Sequence, residues 1–411
     1  MPQESDSFVG SPLVDSAAEW LMSKALGDGE IREIFAGCCR RMVAAGIPIA
    51  RSFLYYRTLH PLHASVFLIW ERGESDVQVH ELLHEGAFSS EEWLRSPMNY
   101  MLQNGVPYLR RRLVGSSAVV DFETLEFLQR KGATDYLGYV IPFSEDEEPG
   151  PTTDGIFGSW TTDRKSGFTR RDIQDLTRVQ KRLAVACKVQ IRREITHNVL
   201  TAYLGDEAGR KVLDGQIKRG DGRQVNAVIW YCDLRRSTEM AEALENDAYL
   251  DLLNRYFECT AGSVLASGGE VLSFIGDAVL AIYPIDAEGA DAHSAAQAAL
   301  EAANAARVEL KALNASRPGE APVNFGLGLH VGRVMHGNIG VPQRVDFTVI
   351  GPAANEVARL EELTKTLGPD VLVSAAFADL LPDVAWEDLG AHDLRGAVRP
   401  LAVLAAPETQ R

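Results

Sequence analysis

The stretch SFIGDAVLAIYP, residues 273–284, decides how the C-terminal half of the chain is read. It is apolar enough for two buried strands, yet it carries one carboxylate, Asp277, in its middle. Gly276 stands directly before that carboxylate. A glycine at the first position of a two-residue turn supplies the positive φ that a type II′ hairpin requires. EVLSFI, GD and AVLAIY therefore read as strand, turn and strand, which places Asp277 at a hairpin tip. Taken alone, an aspartate in such a turn is an ordinary turn residue.

A second carboxylate changes its meaning. Upstream, VNAVIWYC (225–232) is a continuous apolar strand that ends at Asp233, and a helical pattern then starts near Ser237 and Thr238. Strand, carboxylate, tight turn and helix start form a corner suited to phosphate and a divalent cation. Two carboxylates meeting at adjacent strand ends repel by several kcal/mol at ~4 Å unless cations lie between them. A third element follows: the glycine-rich FGLGLHVGRVMHGNIG, then the strand DFTVI, a turn at Gly351-Pro352, and a helix carrying Asn355 and Arg359. Those two residues are four apart and share a helix face. An amide beside a guanidinium suits ribose contact and charge stabilisation at a phosphoryl group.

The rest of the chain sets the bounds. Its 411 residues suffice for two or three domains, and 46% hydrophobic with 24% charged residues is a globular profile. A net charge of -16 disfavours nucleic acid and anionic membrane surfaces as partners. No apolar run approaches the ~20 residues of a membrane span, and the first residues lack the basic and apolar regions of a signal peptide. The five cysteines, Cys38, Cys39, Cys187, Cys232 and Cys259, show no CxxC spacing and read as packed, reduced thiols of a cytoplasmic protein.

Residues 1–14 read as a disordered tail, 15–196 as one α+β domain, 197–221 as a helical linker and 222–411 as the domain with the carboxylates. Within the first domain the pattern predicts a helix from Ser16 to about Ala45, with Ile31, Ile34, Phe35, Cys38 and Met42 on one face. Strands IARSFLYYRTL and ASVFLIWERG follow, then a helix over 90–103, a strand near PYLRRRLV, a helix in DFETLEFLQRKG and a strand in DYLGYVIPF. The acidic SEDEEPGPTTDG reads as a loop. A long helix to about Leu200 carries the stripe Ile173, Leu176, Val179, Leu183, Cys187, Ile191 and Ile195. That stripe either packs on its own domain or pairs with a second copy. His60, His63, His80 and His84 fall on separate strands and loops and read as ordinary polar positions.

VIWYCDLRRST, GGEVLSFIGDAVLAIY, GLGLHVGRVMHGNIG and DFTVIGPAANEVARLEEL resemble, in order, the motifs of class III nucleotidyl cyclases over about residues 222–405. The resemblance implies a ferredoxin-like βαββαβ catalytic domain that works as a homodimer with composite active sites. It implies two divalent cations, Mg²⁺ or Mn²⁺, on Asp233, Asp277 and the backbone of Leu234. The loop of Arg235, Arg236, Ser237 and Thr238 would hold the substrate phosphates, Asn355 the ribose, and Arg359 the transition state. Arg236 stands where the family usually has glycine. Ser273 and Thr348 occupy the base-reading positions and match neither the Lys and Asp of many adenylate cyclases nor the Glu and Cys of guanylate-type enzymes. ATP is the expected substrate, with GTP or relaxed specificity as the alternative, and a catalytically degenerate nucleotide-binding partner as the non-enzyme alternative. A phosphate-binding lysine near the C-terminus is missing, with Arg395 the nearest candidate. The first domain resembles GAF-like sensors in GATDYLGYVIPF and SGFTRRDIQDL, which implies an unidentified small-molecule or protein signal. The alternative there is an α+β dimerisation domain without ligand.

Overall fold

Strand β7, Gly222–Leu234, organises the C-terminal half because it is apolar on both faces from Val225 to Cys232. Parity separates those faces. Val228, Trp230, Cys232 and Leu234 enter one core, while Val225, Ala227 and Ile229 enter another. The computed structural model describes residues 11–85, 88–144, 149–150, 152–285, 291–393 and 400–407. These fall into two compact units divided between Ala202 and Tyr203.

In the C-terminal unit, α7 (Asp206–Leu213) precedes β7, and α8 (Ser237–Ala243) and α9 (Asn246–Ala266) follow it. β8 (Glu270–Ile275), β9 (Ala278–Pro284), α10 (Ala292–Ala315) and β10 (Phe325–Val341) come next. β11 (Arg344–Ile350), α11 (Pro352–Leu367), β12 (Val371–Ser374), α12 (Ala375–Ala378), β13 (Glu387–His392) and β14 (Leu401–Ala405) complete the unit. Its sheet runs β13-β14-β12-β10-β7-β9-β8, with β11 also paired to β10. The four central strands are antiparallel in the order β10-β7-β9-β8, which is the ferredoxin-like arrangement of a βαββαβ chain.

Helices α9 and α10 cover one face, where a ladder of small residues (Ala295, Ala299, Ala302, Ala306) lies buried. Helix α11 covers the other face through Ala353, Val357 and Leu360. Its seat explains the glycines of FGLGLHVG. A Cβ on Gly328 would lie 2.7 Å from the Val357 carbonyl oxygen, and one on Gly326 would lie 2.4 Å from Thr364 Oγ1. The backbone of α11 comes too close to Gly328 for any side chain there, and buried side chains fill the space beside Gly326.

The two strands of the opening hairpin are not equally buried. β9 is buried almost throughout, but β8 closes the sheet as an edge strand, and Phe274 and Ile275 are 54% and 53% exposed.

The N-terminal unit contains α1 (Pro12–Leu26), α2 (Ile31–Ala44), β1 (Arg51–Arg57), β2 (His63–Glu71) and β3 (Gln78–Leu83). It continues with α3 (Glu91–Leu94), α4 (Pro97–Gln103), β4 (Tyr108–Arg112), α5 (Glu123–Arg130), β5 (Asp135–Pro142), β6 (Gly155–Thr162) and α6 (Arg170–Leu204). Its antiparallel sheet has the order β3-β2-β1-β6-β5-β4. The helix expected over residues 16–45 is two helices, because Gly27 and Gly29 break the run. Val14 is fully buried in α1, so the tail expected to residue 14 gives way to helix at Pro12. Pro97, at the first position of α4 behind the Ser96 cap, likewise divides the helix expected over 90–103. The stripe on α6 packs on its own unit: Leu176, Val179, Leu183, Cys187 and Ile191 are all in the core. Helix α6 extends to Leu204 and breaks at Gly205, whose φ is +84°. All five cysteines are free and buried. Among the described residues, no helix is long and apolar enough to cross a membrane.

Candidate active site at the carboxylate corner

Asp233 lies opposite Gly326 on β10, one residue before the end of β7. Ile275 pairs with Ala278, which leaves Gly276 and Asp277 as a two-residue turn in which Gly276 alone has positive φ, +65°. β7 and β9 are neighbours in the sheet, so the strand end and the hairpin tip meet. The pKa of Asp233 is raised, first by burial and then by the Asp277 carboxylate beside it, with Lys365 opposing. Asp277 Oδ2 is buried and has no hydrogen-bond partner among the described residues. An orphaned carboxylate oxygen beside a second carboxylate is a donor set that fits a divalent cation.

Helix α11 adds residues that sequence reasoning missed. Lys365 Nζ lies 3.3 Å from Asp233 Oδ2 and partly neutralises the corner. Glu361 is 3% exposed, its Oε1 has no partner among the described residues, and burial pushes its pKa up to about 7, with Asp233 adding to the rise. Tyr231 is also raised, to about 12, by burial and by Asp233 and Glu361. Nothing in the spacing of 361 and 365 revealed this. The signal lay in the glycines of β10, which let α11 come down onto the strand beside Asp233.

The turn after β7 holds one unusual backbone. Arg236 has φ 59° and ψ 30°, the only non-glycine residue with positive φ among those described. A left-handed residue there accounts for the glycine that the family pattern favours. The Arg236 side chain is exposed and pairs with Glu239 at 2.5 Å. Arg235 departs from the phosphate-facing expectation, because its guanidinium is drawn to Thr364 Oγ1 on α11 and its Nη1 is buried. Ser237 begins α8 half-buried, and Thr238 is exposed.

Asn355 and Arg359 sit away from this corner. The buried side of α11 is formed by Ala353, Val357, Leu360, Glu361 and Thr364. Asn355 and Arg359 belong to the opposite, solvent-facing side. Arg359 pairs with Glu362 at 3.2 Å, and among the described residues neither side chain touches Asp233 or Asp277. Ser273 on β8 and Thr348 on β11 are both half-buried, and neither side chain is hydrogen-bonded among the described residues. Arg395 lies outside the described residues.

The buried Glu361 gives the corner a pH signature. Its folded pKa of about 7 lies above the ordinary 4.5, so the native state binds more protons than the unfolded chain between these values. Its relative stabilisation is complete below about pH 4.5 and is lost as pH rises through about 7. Glu361→Gln is therefore expected to raise stability by ~1–3 kcal/mol at pH 8 and by much less at pH 5, read from denaturant unfolding. An equal effect at both pH values would contradict the assignment.

Residues 222–403 match the family model described as the adenylate and guanylate cyclase catalytic domain. The chain is 34% identical over 148 residues to an adenylate cyclase of Anabaena cylindrica, covering 36% of this chain and 29% of that one. It is 32% identical over 209 residues to adenylate cyclase 2 of Rhizobium meliloti (strain 1021), covering 49% and 55%. The crystal structure of the adenylyl cyclase CyaB from P. aeruginosa aligns at 26% identity and TM-score 0.42, covering 46% of this chain and 98% of that one. The chain thus spans about half or less of the length of the two curated relatives. Over residues 222–403 the chain is thus similar to adenylate and guanylate cyclase catalytic domains.

Proposed function

We propose that the chain is a nucleotidyl cyclase that converts ATP to 3′,5′-cyclic AMP and pyrophosphate in a homodimer with composite sites. The observation that carries this reading is the convergence of Asp233 and Asp277, with an unpartnered oxygen, in a domain of cyclase type.

Asp233, Asp277 and the Leu234 carbonyl would hold two Mg²⁺ or Mn²⁺ ions. When bound, such ions lower the pKa of the ribose 3′-hydroxyl and neutralise charge on the leaving pyrophosphate. With ions bound at Asp233, Lys365 would be free to exchange that carboxylate for the triphosphate. The backbone of residues 234–238, with Arg236, Ser237 and Thr238, positions the β- and γ-phosphates. The solvent-facing position of Asn355 and Arg359 on α11 supports a role for them in the site of a second copy. The half-exposed Phe274 and Ile275 beside the turn offer apolar surface for that copy. Asn355 orients the ribose, and Arg359 stabilises charge at the α-phosphate as the 3′-oxygen bonds to it and the bond to the β-phosphate oxygen breaks. The hydroxyl proton passes to solvent.

The experiment is an assay of the purified chain with Mn²⁺ and either ATP or GTP. Cyclic AMP and pyrophosphate in equal amounts, with ATP preferred, are expected; neither cyclic nucleotide above background would overturn the reading. For base choice we assign Ser273 and Thr348 to the purine edge. Ser273→Lys with Thr348→Asp is expected to increase the ATP/GTP ratio of kcat/KM by ~10-fold or more, since a hydrogen bond to a base edge is worth ~1–3 kcal/mol. An unchanged ratio would mean that these positions do not read the base.

The N-terminal unit is assigned a GAF-like sensing role, supported by its six-stranded antiparallel sheet with α1, α2 and α6 in one core. Deleting residues 1–196 is expected to change basal turnover and abolish any effector response. Identical behaviour of the truncated and full-length proteins would assign this unit another task.

A further inference from the structure

A second cluster of ionisable groups lies away from the carboxylate corner. Glu207 on α7, Glu270 at the start of β8 and His336 on β10 converge, with one ligand atom from each within 4.8 Å of the others. His336 is 1% exposed, and its Nε2 has no partner among the described residues. Glu270 Oε1 is buried and equally unpartnered, 4.0 Å from that nitrogen. Two buried polar atoms left without partners this close together invite a bridging donor or cation. The Phe347 ring closes one side, its centroid 4.6 Å from that of His336.

We propose that Glu207, Glu270 and His336 form a binding site for one divalent transition-metal ion of the zinc class. This inference is independent of the cyclase reading.

The ligand chemistry supports it. One imidazole and two carboxylates are borderline and hard donors that suit Zn²⁺, with a position left for water. Burial lowers the His336 pKa to about 4, helped by Lys211, so the ring is neutral and its lone pair is free near pH 7. Burial and the neighbouring Glu207 raise Glu270 to about 7, which reflects two carboxyls held side by side. Glu207 is paired with Lys211 and lies 3.3 Å from Arg223 Nη2, and both contacts involve Oε1. The two cations orient the carboxylate that an ion would share. Occupied, the site ties α7, the helix just before β7, to β8, whose far end runs into the Gly276-Asp277 turn.

The test uses the full chain carrying Asp233→Asn and Asp277→Asn, which removes the other carboxylate site. Titration calorimetry with Zn²⁺ alone is expected to show one equivalent bound per chain, and Co²⁺ in its place should give visible absorption of a low-symmetry site. Adding His336→Gln or Glu270→Gln should weaken Zn²⁺ binding by at least ~10-fold and abolish the Co²⁺ spectrum. Glu207→Gln, at a partly exposed position, serves as the third variant if the buried substitutions do not fold. No Zn²⁺ bound in the parent, or binding unchanged by Glu207→Gln, would overturn the proposal.

Discussion

Asp277→Asn is expected to lower cyclase turnover by a factor on the order of 10³ while leaving the fold in place. The substitution removes one of two carboxylates that would share the divalent cations, and such cations supply several kcal/mol of transition-state stabilisation. Stability should change little. Asp277 is a turn residue, and its Oδ2 makes no hydrogen bond among the described residues, so the cost is below ~1 kcal/mol. Removing its charge also lets the raised pKa of Asp233 relax downward, because Asp277 is the main cause of that rise after burial. Turnover within a few-fold of the parent, with an unchanged unfolding midpoint, would show that Asp277 holds no ion needed for the reaction.

Arg359→Ala is expected to cost ~10²–10³ in kcat with little change in KM. Its assigned role is to stabilise charge that develops only at the transition state. The side chain is half exposed and, among the described residues, paired only with Glu362, three residues along the same helix, so stability should stay within ~0.5 kcal/mol of the parent. Arg359→Lys should recover only part of the loss, since an ammonium does not reproduce the planar fork of donors. An increase in KM with kcat unchanged would move Arg359 from the reacting phosphate to substrate binding.

The order of the C-terminal core was legible in the sequence because each of its signals is local. Gly276-Asp277 marks the hairpin, continuous apolar runs mark β7 and β9, and Gly351-Pro352 marks the start of α11. The meeting of Asp233 with Asp277 followed from two strand ends in one sheet. Glu361 and Lys365 were not legible, because their place depends on the rotation of α11 over the glycine face of β10, which is tertiary information. The burial of Arg235 beneath α11 has the same origin. In the N-terminal unit, β3 escaped because it is an edge strand, exposed along nearly its whole length and without hydrophobic alternation. β6 escaped because its glycines and the acidic segment before it resemble a loop, although every residue of the strand is buried. The α6 stripe was ambiguous for a different reason: one apolar face suits a neighbouring core as well as a second copy, and here the core occupies it.

In the proposed enzyme, one reaction site draws Asp233 and Asp277 from one protomer and Asn355 and Arg359 from its partner. Co-expression of Asp277→Asn and Arg359→Ala chains under two different tags tests it most directly. Each mutant homodimer has both sites disabled, whereas a mixed dimer concentrates both lesions in one site and leaves the other intact. Random pairing makes about half of all dimers mixed, so the unfractionated mixture should regain roughly a quarter of parental activity. Dimers purified through both tags should regain about half. Doubly tagged dimers as inactive as either mutant alone would contradict a site built from two chains.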